Sequence, residues 1–570
     1  MTNTAIPRPE HPNPQFQRDE WLNLNGVWEF EIDHSDSGTD RNFQNREQLN
    51  DHILVPFCPE SRCSGIANTD FMAAVWYRRT FFVPAAWQSG RVRLHFGAAD
   101  YETHVYINQQ YIGMHRGGYS SFSFDITASV TSEQNTIVVC VRDDTRSPLQ
   151  PRGKQSARYF SAGCDYTRTT GIWQTVWLEH VPDTHIESVR FYPNIAQKVL
   201  SIQATVIGQS TLTAHAFYQG KPVGTASCQA DGPTLILQLP LDELHLWEVG
   251  KGRLYDLTLT YGDDVIHSYF GMRSLQLAGY RFLINGKSVF QRLVLDQGFY
   301  PDGIYTAPSE EALCRDIRLS QAAGFNGARL HQKMFEPRFL YHCDRMGYLI
   351  WGEHASWGLD YSNPKALHAF LPEWLEALRR DFNHPAIIGW CPFNETWDYQ
   401  GRRQDDDLLR TIYLVTRAED PTRPCIDTSG NYHVMTDIYD VHDYEQDPAV
   451  FKQHYDLLMT TGTLYEKFSD RQTYSGGPVF VSEYGGIQWD ADNSGGWGYG
   501  NAPESEEEFF LRYRSLTEAL LHNRCMFGFC YTQLYDVEQE VNGIYTYDRR
   551  PKFDIQKFYK INTQKASIED

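Results

Sequence analysis

The chain has 570 residues, 41% of them hydrophobic and 22% charged, with a formal net charge of −21. That length exceeds what one core organises, so several domains are expected, and the composition is that of a globular protein. The acidic balance and the lack of any basic stripe exclude a nucleic-acid binder, and no apolar run reaches the roughly 18 residues needed to cross a bilayer, so no membrane partner is expected.

The first residues, Met1-Thr2-Asn3-Thr4-Ala5-Ile6-Pro7, lack the charged, apolar and cleavage regions of a secretory leader. The 11 cysteines are odd in number and include no CxxC pair, and Cys140, Cys391, Cys525 and Cys530 fall inside strand-like runs. Free buried thiols suit a reducing compartment, so a cytoplasmic location is expected. Aromatics make up 14% of the chain. Such rings serve as sugar-stacking platforms, although composition alone favours their use as cores of aromatic-rich β-sandwiches.

From the N-terminus to residue 182, apolar and polar side chains alternate in short runs. Examples are Gly26–Ile32, Trp76–Val83, Arg91–Phe96, His104–Ile107 and Thr136–Val141, and Gly171–Glu179 closes the series. Period-two alternation at this spacing predicts an all-β sandwich over residues 1–182. Residues 183–275 bring more short strands, such as Ser201–Val206 and Tyr255–Thr260, with few helix signals. They predict a small immunoglobulin-like sandwich, without the Cys–Trp–Cys core of antibody domains.

Residues 276–570 change to strands alternating with helices, the pattern of parallel βαβ units. Ser309 is placed to cap a helix that has Glu310 and Glu311 in its first turn and runs to about Ala323. Strands are expected near 289–296, 326–331, 348–353, 386–395, 424–430, 438–444, 478–485 and 525–534, with helices over 366–382 and 504–523 among the intervening segments. Eight strands over this length predict a (β/α)₈ TIM barrel. An open doubly wound sheet is the alternative, but no Gly-rich phosphate loop follows the first strand.

Two of these strands end in glutamate. One run is Ala386-Ile387-Ile388-Gly389-Trp390-Cys391-Pro392-Phe393-Asn394-Glu395, the other Pro478-Val479-Phe480-Val481-Ser482-Glu483. A carboxylate at the carboxyl end of a barrel strand lies on the face where barrel active sites are built. Two converging there can break a glycosidic bond: at about 5–5.5 Å with retention through a covalent intermediate, at a wider gap with inversion. Glu395 is expected as the general acid/base, its pKa raised by an apolar setting and by the neighbouring carboxylate. Glu483 is expected as the nucleophile.

The segment Asn383-His384-Pro385 through Asn394-Glu395 resembles the acid/base signature of glycoside hydrolase family 2, which includes β-galactosidases, β-glucuronidases and β-mannosidases. Phe480-Val481-Ser482-Glu483-Tyr484-Gly485 resembles that family's nucleophile strand. Gly171-Ile172-Trp173-Gln174 resembles the end of its N-terminal sugar-binding jelly roll, and Leu283–Val289 the start of its barrel. The resemblance covers nearly the whole chain. It implies that Asn394 bonds the sugar 2-hydroxyl and that Tyr444, in Asp440-Val441-His442-Asp443-Tyr444, hydrogen-bonds the nucleophile. It also implies that Arg329 and His331 lie beneath the sugar, Arg329 orienting the nucleophile.

The chain departs from the family's usual pattern in several places. Asp296, in Val294-Leu295-Asp296-Gln297, stands as a hydroxyl-binding group or a structural ion-pair partner. Tyr531, in Phe529-Cys530-Tyr531-Thr532-Gln533, is expected to replace the usual tryptophan platform. The Asn-x-Lys pair typical of β-glucuronidases is not evident, and Gly352-Glu353-His354-Ala355-Ser356 differs from the metal-linked pattern of large β-galactosidases. No metal and no cofactor are therefore expected. His354, Trp357, Trp397 and Trp489 are expected to shape the pocket or to pack loops. The expectation is a retaining exo-β-glycosidase acting on a glycoside or oligosaccharide, with β-galactoside first and β-glucuronidase, β-mannosidase or pentopyranosidase as alternatives. The competing class is an inert carbohydrate-binding protein. Homo-oligomerisation is left open.

Overall fold

The computed structural model describes residues 6–87, 89–492 and 495–569. Most of the leader segment read above, residues 1–5, lies outside the described residues. Three layered units follow one another along the chain. In the first, a six-stranded antiparallel sheet (Asp51–Val55, Gly26–Asp33, Ala74–Phe81, Asn135–Arg142, Glu102–Ile107, Gln110–Arg116) packs on a four-stranded one (Trp21–Asn23, Val176–Val181, Arg91–Phe96, Phe122–Asp125). The alternating side chains Trp28, Phe30, Tyr77, Leu94, Phe96 and Val139 fill the space between them. In the second, a three-stranded sheet built on Val199–Ile207 faces a four-stranded one built on Thr211–Tyr218 and Tyr255–Tyr261. This is the seven-strand count of an immunoglobulin-like sandwich.

The third unit is a curled parallel sheet, a TIM barrel. Its strands are β1 (Gln291–Asp296), β2 (Gly327–Leu330), β3 (Leu349–Glu353), β4 (Ile387–Cys391), β5 (Thr428–Ser429), β6 (Tyr439–Asp443), β7 (Val479–Gly485) and β8 (Met526–Thr532). They pair in the order β4-β3-β2-β1-β8-β7-β6. Strand β5 joins through a parallel pairing with Phe393–Asn394 just after β4. Between β5 and β6 side chains take over from the ladder, with Ser429 Oγ donating to Asp440 Oδ2 at 2.5 Å. All eight strands fall within the segments expected from sequence. The helices alternate with them as α1 (Glu310–Ala322), α2 (Pro337–Met346), α3 (Ala366–Asp381), α4 (Asp406–Glu419), α5 (Pro448–Thr460), α6 (Glu506–Leu521) and α7 (Ile555–Asn562). Ser309 caps α1 through the Ala312 amide at 3.3 Å. Among the described residues no helix is long and apolar enough to cross a membrane.

One contact between units matters for the site. The loop over residues 152–168 of the first sandwich lies on the barrel rim. The amides of Arg152 and Gly153 both donate to the carbonyl of Trp357, at 2.8 and 3.1 Å. The backbone comes so close that a Cβ at Gly153 (φ +60°) would sit 2.4 Å from the Gln332 carbonyl oxygen. Only glycine fits there. Further along the loop, Tyr166 Oη donates to Glu540 Oε2 at 2.5 Å. The Gly163 carbonyl accepts from Trp497 Nε1 at 2.7 Å. These bonds fix the next residue in line, Lys154, over the mouth of the barrel.

Candidate active site

Strands β2, β6 and β7 and the extension of β4 converge at the carboxyl end of the barrel, where they set out a cluster of charged side chains. Glu483 is 4% exposed. Each of its oxygens receives a donor: Oε1 from Arg329 Nη1 at 2.8 Å, Oε2 from Tyr444 Oη at 2.5 Å. Tyr444 is itself held by Thr532 Oγ1 at 3.0 Å and by the ring of Tyr499, stacked at 3.5 Å. Arg329, 2% exposed, also binds Glu353 Oε2 at 2.7 Å and the side-chain oxygen of Asn394. A buried guanidinium shared by two carboxylates and an amide is rigid, and removing it would leave buried charge unpaired.

Glu395 is held differently. It follows the short strand Phe393–Asn394, its amide donates to the Ser429 carbonyl at 2.9 Å, and its φ is +45°. A non-glycine residue in that left-handed region carries strain of order 1–3 kcal/mol, which collects at functional sites. Its side chain stays 17% exposed. His442 Nδ1 lies 2.8 Å from Oε1, and Trp397 Nε1 donates to Oε2 at 3.2 Å. One oxygen of Glu395, one of Glu483 and one ring nitrogen of His442 all fall within 4.8 Å of one another.

The charge state of Glu395 departs from expectation. Burial pushes its carboxyl up, but the hydrogen bond and charge of His442, then the charge of Lys154, outweigh it and leave the pKa below the ordinary glutamate value. The expected raised pKa is thus corrected. The buried setting that the apolar run of β4 implied is present, but an imidazole at 2.8 Å counters it. His442 moves the opposite way. Burial lowers it, yet the charges of Glu483 and Glu395 raise it above the usual imidazole value. The trio Glu395, His442 and Glu483 is the grouping among the described residues with metal-like spacing. Its donors are already committed, both Glu483 oxygens to Arg329 and Tyr444 and His442 Nδ1 to Glu395.

Of the other residues expected at the site, His331 is brought in. It is 2% exposed, with Nδ1 3.1 Å from Glu353 Oε1 and 3.9 Å from Glu483 Oε1. Burial and the charge of Lys154 hold it far below the normal imidazole pKa, hence neutral. Asn394 is 1% exposed, and its amide nitrogen has no partner among the described residues, which leaves a donor for a ligand. Asp296 is buried at the end of β1, where its Oδ1 accepts from Tyr535 Oη at 2.5 Å and from the Gly298 amide at 2.9 Å. Burial and the charge of Asp316 raise its pKa to about 6. Trp397 is 44% exposed beside Glu395.

Two expectations are overturned. Tyr531 is fully buried on the outer face of β8, in register with Tyr484 and packed on Tyr513 of α6 at 4.9 Å. It is no sugar platform; Thr532, one residue on, faces Tyr444 instead. His354 is also fully buried, against Phe370 and Trp374 of α3, with Nε2 3.4 Å from Glu373 Oε2. The cause is the same. Glu353 points inward to Arg329, so the next side chain points outward. Trp489 takes the packing alternative, with its ring 5.9 and 5.2 Å from those of Phe509 and Phe553.

Sequence reasoning missed His442, Glu353 and Lys154. His442 was quoted only as a neighbour of Tyr444, although it stands on β6 two residues before Tyr444, a spacing that in extended chain puts both on one face. Lys154 carried no local signal. It comes from the first sandwich, and its ammonium lies 4.1 Å above the Trp357 ring with no ion-pair or hydrogen-bond partner among the described residues. Burial lowers its pKa, but Cys164, Glu540, Glu483 and Glu395 more than offset that, so it stays charged.

A TIM barrel with two facing glutamates, preceded by two β-sandwiches, defines the class as a glycoside hydrolase. The model "Glycosyl hydrolases family 2, sugar binding domain" matches residues 22–182, "Glycosyl hydrolases family 2" residues 184–273, and "Glycosyl hydrolases family 2, TIM barrel domain" residues 276–565. The chain belongs to glycoside hydrolase family 2. A β-glucuronidase of Paenibacillus borealis is 23% identical, with 93% of this chain and 94% of the relative covered. A β-galactosidase of Thermoanaerobacter pseudethanolicus is 26% identical over 62% of this chain and 48% of its own. Among solved structures, the β-glucuronidase of Ruminococcus gnavus in complex with D-glucuronic acid superposes with a TM-score of 0.79 at 19% identity, covering 96% of this chain and 98% of that one. The Lactobacillus rhamnosus β-glucuronidase gives 0.80 at 20% identity, covering 98% and 100%.

Proposed function

We propose that the chain is a retaining, exo-acting β-glycosidase that works by double displacement, with Glu483 as nucleophile and Glu395 as general acid/base. The observation that carries the reading is the approach of a Glu395 oxygen to within 4.8 Å of one on Glu483. That fits the roughly 5–5.5 Å carboxyl separation of retaining enzymes and leaves no room for the water that inversion needs at about 6.5–9.5 Å. Arg329 and Tyr444 each donate to one oxygen of Glu483 and so aim its carboxylate. The free amide nitrogen of Asn394 is available to a sugar hydroxyl beside the nucleophile. Trp397, exposed and bonded to the acid/base, offers an aromatic face to the leaving group.

For the glycone, two observations favour a β-glucuronide. Lys154 holds an unpaired ammonium at the mouth of the site, ready for a uronate carboxylate, and the relative matched over nearly its whole length is a β-glucuronidase. A second reading, the β-galactoside put first by the sequence, draws on the missing Asn-x-Lys pair. It draws also on Glu540, a 2%-exposed carboxylate that Lys154 already feels and that would repel an acidic sugar. A panel of 4-nitrophenyl β-glycosides separates them, with product stereochemistry read by NMR. Release from the glucuronide alone supports the first and from the galactoside alone the second. Release from neither sugar by a folded protein refutes both, and an inverted product refutes the double displacement.

A further inference from the structure

We infer that His442 is a positioning residue that shares a single transferable proton with Glu395, so that the acid/base unit of this enzyme is the pair and not the glutamate alone. The inference rests on Glu395 being the acid/base, and deepens that reading.

The geometry supplies the argument. His442 Nδ1 is 2.8 Å from Glu395 Oε1 and 3.4 Å from Glu483 Oε2, so the ring edge faces both carboxylates. Nε2 lies 2.9 Å from Ser429 Oγ. The Ser429 hydroxyl has its own acceptor in Asp440 Oδ2 at 2.5 Å. A hydroxyl that donates to a carboxylate can accept at its other side, so Ser429 Oγ offers an acceptor for a proton on Nε2, while Arg329 Nη1 donates toward the same nitrogen from 3.3 Å. Asp440 is anchored in turn by His433 Nε2, 3.1 Å from Oδ1. The chain Asp440–Ser429–His442–Glu395 thus runs from one buried carboxylate to the reacting one. The position is built for this ring: a Cβ on Gly430 (φ +87°) would fall 2.3 Å from His442 Nδ1.

Every element packed around the ring contributes charge. Glu395 follows β4 and Glu483 lies on β7. Arg329 on β2 has Nη1 3.3 Å from Nε2 and works against the proton there. Glu353 on β3 and His331 after β2 stand behind Arg329, Asp440 sits on His442's own strand, and Lys154 reaches in from the first sandwich. Carboxylates outnumber cations at short range. Burial lowers His442, but those charges raise it overall, while Glu395 is lowered. Between those two values the resting pair is imidazolium and carboxylate, and its titration belongs to both groups together.

The proton count then closes. In the first half-reaction Glu483 forms a bond to the anomeric carbon while the bond from that carbon to the leaving oxygen breaks. The leaving oxygen takes one proton from the Glu395 carboxyl, and that proton is drawn from His442 Nδ1. Neutral His442 and ionised Glu395 remain. In the second, water oxygen bonds the anomeric carbon as the bond to Glu483 breaks. The water proton passes to Glu395 and on to Nδ1, and the starting state returns. On this count the proton that Glu395 gives to the leaving oxygen is the one His442 Nδ1 holds at rest, 2.8 Å away.

The test is the pH profile of kcat/KM with a poorly activated glycoside, for the wild type and His442→Asn. Loss of the shared proton sets the basic limb, so the variant's limb moves to lower pH by about one unit or more. A basic limb that stays in place in a folded variant overturns the inference. A purely structural histidine would lower rates without moving the limb. If the variant does not fold, the wild type and Glu395→Gln are compared by NMR of ¹⁵N-histidine. One imidazole midpoint drops by about one unit or more when the carboxylate is removed, and unmoved midpoints overturn the inference. Glu395→Ala, compared on good and poor leaving groups, tests the underlying role separately. If its losses are equal, that role fails; if they differ while the limb stays in place, only the sharing of the proton fails.

Discussion

The two glutamates stand at the same end of one barrel, on opposite sides of the site, yet their surroundings have little in common. Glu483 sits inside a continuous strand, 4% exposed, with a guanidinium on one oxygen and a phenol on the other. Glu395 stands on a strained residue past a strand end, 17% exposed, between a titratable ring and an indole. The difference teaches what each has to do. In the proposed roles the nucleophile must stay aimed, and fixed donors achieve that. An acid/base must change protonation state twice per turnover, so its partner must be able to change state as well. A fixed cation such as arginine in place of His442 would hold Glu395 ionised throughout.

The sharpest way to break the contrast is Glu483→Gln. An amide cannot become the glycosyl ester, so kcat on any substrate should fall by roughly 10⁴-fold or more; activity near wild type would contradict the role. Next comes Glu395→Ala. With a poor leaving group the loss should be roughly 10²- to 10⁴-fold, and with a dinitrophenolate far smaller, because that oxygen leaves without a proton. Equal losses would remove Glu395 from the acid role.

Lys154→Met sharpens the comparison from the side of the first sandwich. If the ammonium reads a uronate, kcat/KM on a β-glucuronide should drop by roughly 10- to 100-fold, as for a lost charge-assisted hydrogen bond, with little change on a β-galactoside. A uniform drop on both would make Lys154 a counter-charge for the glutamates. The smallest effect is expected for Tyr531→Phe. Its hydroxyl is buried on the outer face of β8, so removing it should leave kcat unchanged and shift chemical-denaturation stability by no more than about 1 kcal/mol. A clear fall in kcat would restore Tyr531 to the pocket.

The fold was legible because its signals are local. Period-two runs such as Arg91–Phe96 and branched runs such as Val479–Val481 mark strands whatever lies around them, and Ser309 marks a helix start. The glutamates were legible because strand ends in a barrel share one face. What failed was parity. Tyr531 and His354 each lie one residue from a side chain that points inward, and a step of one residue reverses the face. The pairing of β7 with β8 shifts register between Val479 and Tyr484, so the inward set cannot be counted from either strand alone. Lys154 was out of reach for another reason. Its placement depends on a loop from one domain docking on another, and no window of sequence contains that contact. The pKa of Glu395 failed likewise, because the histidine that reverses its shift lies on a different strand.

The claim on which the rest depends is that Glu483 becomes covalently bound to the sugar. A 2-deoxy-2-fluoro β-glycoside of the sugar that turns over slows the second step and lets the intermediate accumulate, and peptide mass spectrometry then locates the label. The account predicts one sugar per chain, attached to Glu483 and released on reactivation with an acceptor. A label on Glu395, or none despite steady turnover of the parent glycoside, would contradict it.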